Sequence, residues 1–393
     1  MRTRHLLTTL LTAALLLAVA APVAVPAGAA PRPTRVEAEE LPGVLLPRGI
    51  NDRGRILAFD IGGEIEPPDV VVVDERHGDF EVTRVGPWEQ YRHPLCPTDQ
   101  CFYTLPSLPY LNARGVVGTA LGGHATLWDD GRTTDLNGAA VGSWLLDLSD
   151  RGEALVVRFL ADHQVLGVWR RGTFTPIRTL PLDVIVNGRL SERGDVMILG
   201  LAVRPPFPAP MNFTWQDGVV TDLVNFSPGD IDRHGRIVGT TDDRSLPFTQ
   251  QRGAVWDDGE LTVLPTLGGR SGASFVNERG QIAGYSTRPD GTATTVLWED
   301  GGIVDVGAQA GIRSVGPRAL NERGQLLLRG ATGTPDTGSL SAVWDRHGTV
   351  VLPPSGAPNL GVEAFEMNER GQVAGNVSPY DGPTVPTLWT VGR

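Results

Sequence analysis

Residues 264–306 read LPTLGGRSGASFVNERGQIAGYSTRPDGTATTVLWEDGGIVDV, four short apolar runs separated by turn signals. Imperfect copies recur along nearly the whole chain, and a fixed period decides the fold before any local motif does. The marker is the tetrad Asn277-Glu278-Arg279-Gly280. Its Gly recurs as Gly54, Gly115, Gly152, Gly194, Gly235, Gly280, Gly324 and Gly371, at spacings of 61, 37, 42, 41, 45, 44 and 47 residues. Three residues before each stand Asn51, Asn112, Ser149, Ser191, Asp232, Asn277, Asn321 and Asn368. A type I turn takes Asn, Asp or Ser at its first position, where the side chain caps backbone N–H groups, and Gly at its fourth. Every copy obeys this rule.

After each Gly comes an apolar run, a loop of variable length, and a strand that ends in Trp128, Trp169, Trp215, Trp256, Trp298, Trp344 or Trp389, with Val73 in the first copy. A second turn follows most of them, as in Asp130-Gly131, Asp217-Gly218, Asp258-Gly259 and Asp300-Gly301. Asp-Gly between apolar runs favours a two-residue hairpin, in which both central residues have positive φ. A fourth run closes the unit. Four strands per unit of about 43 residues describe an all-β protein, a β-propeller of four-stranded blades. A lone blade cannot bury both faces, so neighbours must stack and the ring must close.

Thr34–Leu41 reads as a fourth strand without the preceding three, and the last copy stops after its third strand at Trp389. The N-terminal strand is therefore expected to complete the last blade, which sets the count at eight. Seven, with the divergent first copy displaced, is the alternative. Upstream, Arg2 and Arg4, an apolar core from Leu6 to Ala20 and Ala27-Gly28-Ala29 form the pattern of a cleaved leader over residues 1–29. A soluble, secreted product of residues 30–393, a single domain and a monomer, is the expectation. No later stretch is apolar enough to span a membrane.

All 34 basic residues are Arg, against 45 Asp and Glu, for a formal charge of −11. That acidic balance argues against nucleic acid and anionic membrane surfaces as partners. The extra length in the first spacing falls in an insertion, residues 86–110. It holds the chain's two cysteines, Cys96 and Cys101, which in a secreted protein read as a disulfide. A loop this small gains roughly 2 kcal/mol from such a bridge. The insertion also carries Trp88, Tyr91, Arg92, His93, Phe102 and Tyr103, the candidate ligand-binding residues. In a propeller, hairpins within a blade share one face, whereas interblade loops and loops between second and third strands share the other. The insertion, Leu201–Pro210 and Thr240–Arg252 thus belong to one variable face, where function on a rigid frame usually resides.

The chain resembles the extracellular HAF repeat family. Leu267-Gly268-Gly269, Asn277-Glu278-Arg279-Gly280-Gln281-Ile282-Ala283-Gly284 and His124-Ala125-Thr126-Leu127-Trp128 carry the resemblance, and copies cover roughly residues 48–390. It implies an architecture and transfers no functional residue.

Catalytic signatures are absent. There is no Gly-x-Ser-x-Gly, no phosphate-binding loop and no calcium loop, so no cofactor is implied. The His residues show no metal-ligand spacing, and the Cys pair has only His93 nearby, so no metal is implied either. The repeated turn Arg (Arg53, Arg114, Arg151, Arg193, Arg279, Arg323, Arg370) reads as exposed turn surface, and the seven repeated Trp as blade packing. Two functions remain. One is a binding or scaffolding propeller for an extracellular glycan, wall polymer or protein. The other is a polysaccharide hydrolase or lyase at the mouth of the central channel, which would show itself as carboxylates or a His converging there with shifted pKa.

Overall fold

Each turn tetrad forms as its chemistry dictates. In the first, Asn51 Oδ1 accepts from the N–H groups of Arg53 and Arg55 at 3.0 and 3.1 Å, while Gly54 N–H closes the turn on Asn51 O at 2.9 Å. Gly54 sits at φ +87°, where a Cβ would be strained, and the seven later tetrad glycines also have positive φ. The second turn behaves as expected too. Asp130, Asp217, Asp258 and Asp300 have positive φ, as do the glycines after them, and His77-Gly78 and Arg171-Gly172 take the same conformation.

Among the residues described in a computed structural model, these turns join 33 strands and one short helix, Val306–Ala310. The structure describes residues 35–62, 67–89, 91, 108–202, 209–241, 250–331, 339–354, 361–378 and 383–392. They belong to one unit, Pro33–Arg393. The leader at 1–29 lies outside the described residues. So do Arg92, His93, Cys96, Cys101, Phe102 and Tyr103, and with them the expected disulfide.

Eight antiparallel sheets result, and seven of them are meanders of consecutive strands. Their innermost strands are Leu45–Ile50, Tyr110–Leu111, Gly142–Leu148, Val184–Leu190, Phe226–Ile231, Ser271–Val276, Arg313–Leu320 and Gly361–Met367, which we number as blades 1 to 8. Each inner strand contacts those of the blades before and after it, and blade 8 contacts blade 1. The chain is an eight-bladed β-propeller.

The eighth sheet closes the ring as its sequence required. Val36–Glu40 pairs antiparallel with Val385–Val391, from Val36 opposite Val391 to Glu40 opposite Thr387, and so becomes the outer strand of blade 8. Both chain ends share one sheet, and the last blade has no unpaired third strand.

The core lies between blades. Every repeated Trp stands opposite the second residue after its turn Gly, as in Val373↔Trp389 and Leu326↔Trp344, with Ile56↔Val73 in the first copy. Trp389 and Trp344 are almost wholly buried, and each packs with apolar residues of an adjacent blade. Trp169 and Trp215 are only half-buried.

Candidate functional site

The turn tetrads do more than reverse the chain. Asn51 Nδ2 donates to Asn112 O of the next blade at 3.0 Å, Asn112 to Ser149 O at 3.1 Å, Asn277 to Asn321 O at 3.0 Å and Asn321 to Asn368 O at 3.3 Å. Asn368 donates to Asn51 O at 2.9 Å and carries the relay across the seam between blades 8 and 1. A second relay runs beside it. The N–H of the second tetrad residue donates to the acidic side chain at the same place in the next blade, from Ala113 to Asp150, Asp150 to Glu192, Arg233 to Glu278, Glu278 to Glu322, Glu322 to Glu369 and Glu369 to Asp52. Burial pushes the carboxyls of Glu192, Glu278 and Glu369 above their usual range. The third tetrad residue, the repeated Arg, is exposed. The turn face is thus a self-satisfied ring.

Two residues before each tetrad stand Gly49, Tyr110, Asp147, Arg189, Asp230, Phe275, Ala319 and Glu366. In six inner strands a β-bulge falls just ahead of this position or one residue earlier, as between Leu145 and Asp147, Pro228 and Asp230, and Ala364 and Glu366. A bulge re-aims the side chain that follows it. Glu366 of blade 8 feels the charge of Arg189 in blade 4, directly opposite in an eight-membered ring. Charges that act on each other between opposite blades do so across the central channel.

Tyr110, Asp147, Arg189 and Asp230 form a continuous polar arc along blades 2 to 5. Arg189 Nη1 lies 3.9 Å from Asp147 Oδ1, and its side chain keeps 48% of its exposure, so water reaches the arc. Burial raises the carboxyl of Asp147, against the opposing pull of Arg189 and the Leu190 N–H. Burial likewise lifts Asp230 to about 6 and Glu366 to about 7. Burial, the largest single influence, works against the charge of Arg189, but Asp147, Asp230, Tyr110 and Glu366 together outweigh it and hold the guanidinium more firmly protonated.

Two of these carboxylates have structural work. Asp147 Oδ2 accepts the N–H of Leu190 in blade 4 at 2.8 Å, and Asp230 Oδ2 accepts that of Val276 in blade 6 at 3.1 Å. Blades 3, 4 and 5 are where Ser149, Ser191 and Asp232 replace Asn and the amide relay stops. The channel carboxylates carry interblade bonds in its place. Glu366 differs, since Asn368 already ties its blade to the next and its own contact is the adjacent Met367 N–H at 3.4 Å.

Of the sequence-predicted site residues, Trp88 and Tyr91 are described, and both pack inward. Trp88 lies 5.0 Å from the Phe59 ring. Tyr91 stacks on Phe159 at 5.0 Å, and its carbonyl accepts from Trp144 Nε1 at 2.9 Å. It also fills the space where a Cβ on Gly142 would stand. The two rings anchor the start of the insertion to the blades. Tyr110, Asp147, Arg189, Asp230 and Glu366 escaped the sequence reading, although aligning the repeats on the tetrad puts all five in one column. Among the described residues no group of three His, Cys, Asp or Glu could hold a metal ion. A cleft of about 400 Å³ is lined in part by Arg178, Met211, Asn212, Asp222 and Phe226, but Arg178 is already engaged by Asp222 at 2.8 Å.

No family model matches the chain, and no curated protein matches it in sequence. Among solved structures, the β-propeller domain of the Trilobed protease from Pyrococcus furiosus aligns with 80% of this chain and 99% of its own length, at 13% identity and a TM-score of 0.49. The Pyrococcus horikoshii acylaminoacyl peptidase aligns over 86% of this chain and 58% of its own, at 13% identity and a TM-score of 0.47. Prolyl oligopeptidase B from Galerina marginata aligns over 90% and 55%, at 13% and 0.47. The chain spans a little over half the length of the last two. Likeness this distant is to a propeller, and it transfers no activity.

Proposed function

We propose that the chain is a secreted, monomeric, non-catalytic binding propeller of the HAF repeat type, which presents one face to an extracellular glycan, wall polymer or protein. The asymmetry of its two faces carries this reading. On the turn face, the four-residue turns use most of their polar groups on their own caps or on the next turn, through the two relays. The opposite face is joined by connections of unequal length, from Gly122-Gly123 between two strands of blade 2 to residues 242–252 in blade 5 and the insertion between blades 1 and 2. A rigid frame with variable connections on one side is the arrangement of a recognition surface. The residues of the insertion nominated for contact are Arg92, His93, Phe102 and Tyr103. Among the described residues no helix is long and apolar enough to cross a membrane.

A second reading, an acid–base hydrolase or lyase in the channel, draws support from Glu366 and Asp230, whose raised carboxyls converge with Arg189. The interblade bonds of Asp147 and Asp230 weigh against it, because they explain those two groups without a substrate. Co-sedimentation with insoluble polysaccharides and wall fragments, with the supernatant assayed for released sugar, separates the two. Retention without release is expected. Sugar release that disappears in Glu366→Gln would replace the binding reading with the enzymatic one.

A further inference from the structure

Blades 7, 8 and 1 carry a second cluster of charge, on their inner strands and on the second strand of blade 7, of the opposite sign to the polar arc. Glu363 Oε1 on the inner strand of blade 8 is met by Arg318 Nη2 at 3.5 Å and by Arg329 Nη1 at 3.2 Å, both from blade 7. Arg48 of blade 1 lies beside the same strand of blade 8, its guanidinium 5.3 Å from the Phe365 ring. Two guanidiniums thus meet one carboxylate and a third lies beside the same strand, an excess of two positive charges in a protein whose formal charge is −11. Glu363 lies on the innermost strand of its sheet, the strand that borders the channel.

Arg48 is the bulged residue of its strand, between Pro47 and Gly49. Its guanidinium lies 5.7 Å from the Phe59 ring and 5.3 Å from that of Phe365, itself the bulged residue of blade 8. Such contacts fix the plane of the group. Its Nε is nevertheless buried and has no hydrogen-bond partner among the described residues. A second group is also unsatisfied. Asn376 stands opposite Glu363 on the adjacent strand, so both side chains share one sheet face. The residue is 3% exposed, and its Oδ1 has no partner among the described residues. A buried donor and a buried acceptor left unmade cost more than the bonds would gain, so such groups call for a partner. Access is open, because the side chains of Arg318, Arg329 and Glu363 keep 37%, 39% and 35% of their exposure.

We propose that this cluster binds the carboxylate of a uronate-type saccharide, with Arg48, Arg318 and Arg329 holding the anion and Asn376 Oδ1 accepting from a neighbouring sugar hydroxyl. The guanidinium fork matches the geometry of a carboxylate. The unsatisfied acceptor selects the saccharide over a protein's Asp or Glu, because a uronate carries hydroxyl donors on the carbons beside its acid and those side chains do not. Glu363 holds the three arginines together when the site is empty and competes with the incoming carboxylate for them. The inference rests on the binding reading above and gives it a ligand class.

The test is titration of the purified protein with polygalacturonate, its fully methyl-esterified form, a neutral glucan and inorganic phosphate, at low and at physiological salt. Polygalacturonate is expected to bind at least tenfold more tightly than its ester, less so as salt rises. Arg318→Gln and Arg329→Gln should each weaken it roughly tenfold, from the loss of a charge-assisted hydrogen bond. Glu363→Gln should strengthen it several-fold, a gain that a folding defect cannot produce. Phosphate binding as tight as that of the uronate polymer would overturn the saccharide assignment. Equal binding of acid and ester, or no gain in Glu363→Gln, would overturn the proposal and leave a binding propeller of another specificity. Failure to bind any polymer or wall fragment would overturn the proposal and leave a protein as the partner of the binding propeller.

Discussion

The eight blades form two arcs that solve one problem differently. From blade 6 through 8 and 1 to blade 2, neighbouring turns are tied by a neutral amide, because Asn both caps its own turn and donates to the next. In blades 3 to 5, Ser149, Ser191 and Asp232 still cap their turns but have no amide to donate. There, carboxylates two residues earlier, Asp147 and Asp230, accept the neighbour's N–H instead. The first solution needs no charge in the channel, whereas the second lines part of it with ionisable groups. A polar arc in a channel is therefore not by itself evidence of chemistry. What needs another account is the residue that ties nothing, Glu366, and the arginine cluster beside Glu363.

The contrast makes predictions that differ in size. The seam lies within the amide arc, and the relay there should not hold without its strand. Deleting residues 34–41 removes the five pairs of Val36–Glu40 with Val385–Val391. At about 1 kcal/mol per backbone hydrogen bond, the cost should be on the order of 5 kcal/mol, seen as an earlier thermal transition. Retained stability would mean that the Asn368–Asn51 link closes the ring alone. Within the arcs, Asn321→Ala loses two acceptor bonds and two donor bonds in a buried setting and should cost roughly 2–3 kcal/mol in denaturant unfolding. Ser149→Ala loses a turn bond to Glu153 N–H and no interblade bond, so about 1 kcal/mol is expected. Equal costs would erase the distinction between the arcs.

Glu366 gives the pH signature. Its folded carboxyl is raised to about 7 by burial, above the ordinary Glu value near 4.3, so the native state holds this proton more tightly than the unfolded chain does. Its contribution to stability is full below about pH 4.5 and is lost as pH rises through about 7. Glu366→Gln should flatten that decline in Tm between pH 4.5 and 8, and an unchanged slope would assign the decline elsewhere. The smallest effect belongs to the exposed turn residue. Arg323→Ala should lie within about 0.5 kcal/mol of the parent.

The architecture could be read because its determinants are local and repeated. Asn-x-Arg-Gly and Asp-Gly specify their turns through φ and capping, and the Trp recurs at one register position in seven copies. Closure by Thr34–Leu41 could be read because the last copy lacks a fourth strand. The relays were hidden for a different reason. An Asn that caps a turn satisfies the sequence rule with one oxygen, and nothing local says what its amide does across a blade boundary. The channel groups were hidden because their convergence depends on the ring. Glu366 and Arg189 are 177 residues apart in sequence, and the charge of one acts on the other only because blades 4 and 8 are opposite. Trp88 and Tyr91 show the converse. Aromatic residues in an insertion look like ligand contacts, yet these two rings pack against Phe59 and Phe159 and fix where the insertion leaves the blades.

The central claim is that the turn face is structure and the opposite face recognition. Amide hydrogen exchange, with and without whichever polymer retains the protein, tests it most directly. The account predicts new protection in the variable connections, above all residues 88–110 and 242–252, and none in the eight turn tetrads. Protection concentrated in the Asn-x-Arg-Gly turns would contradict it and move the binding surface to the other side of the propeller.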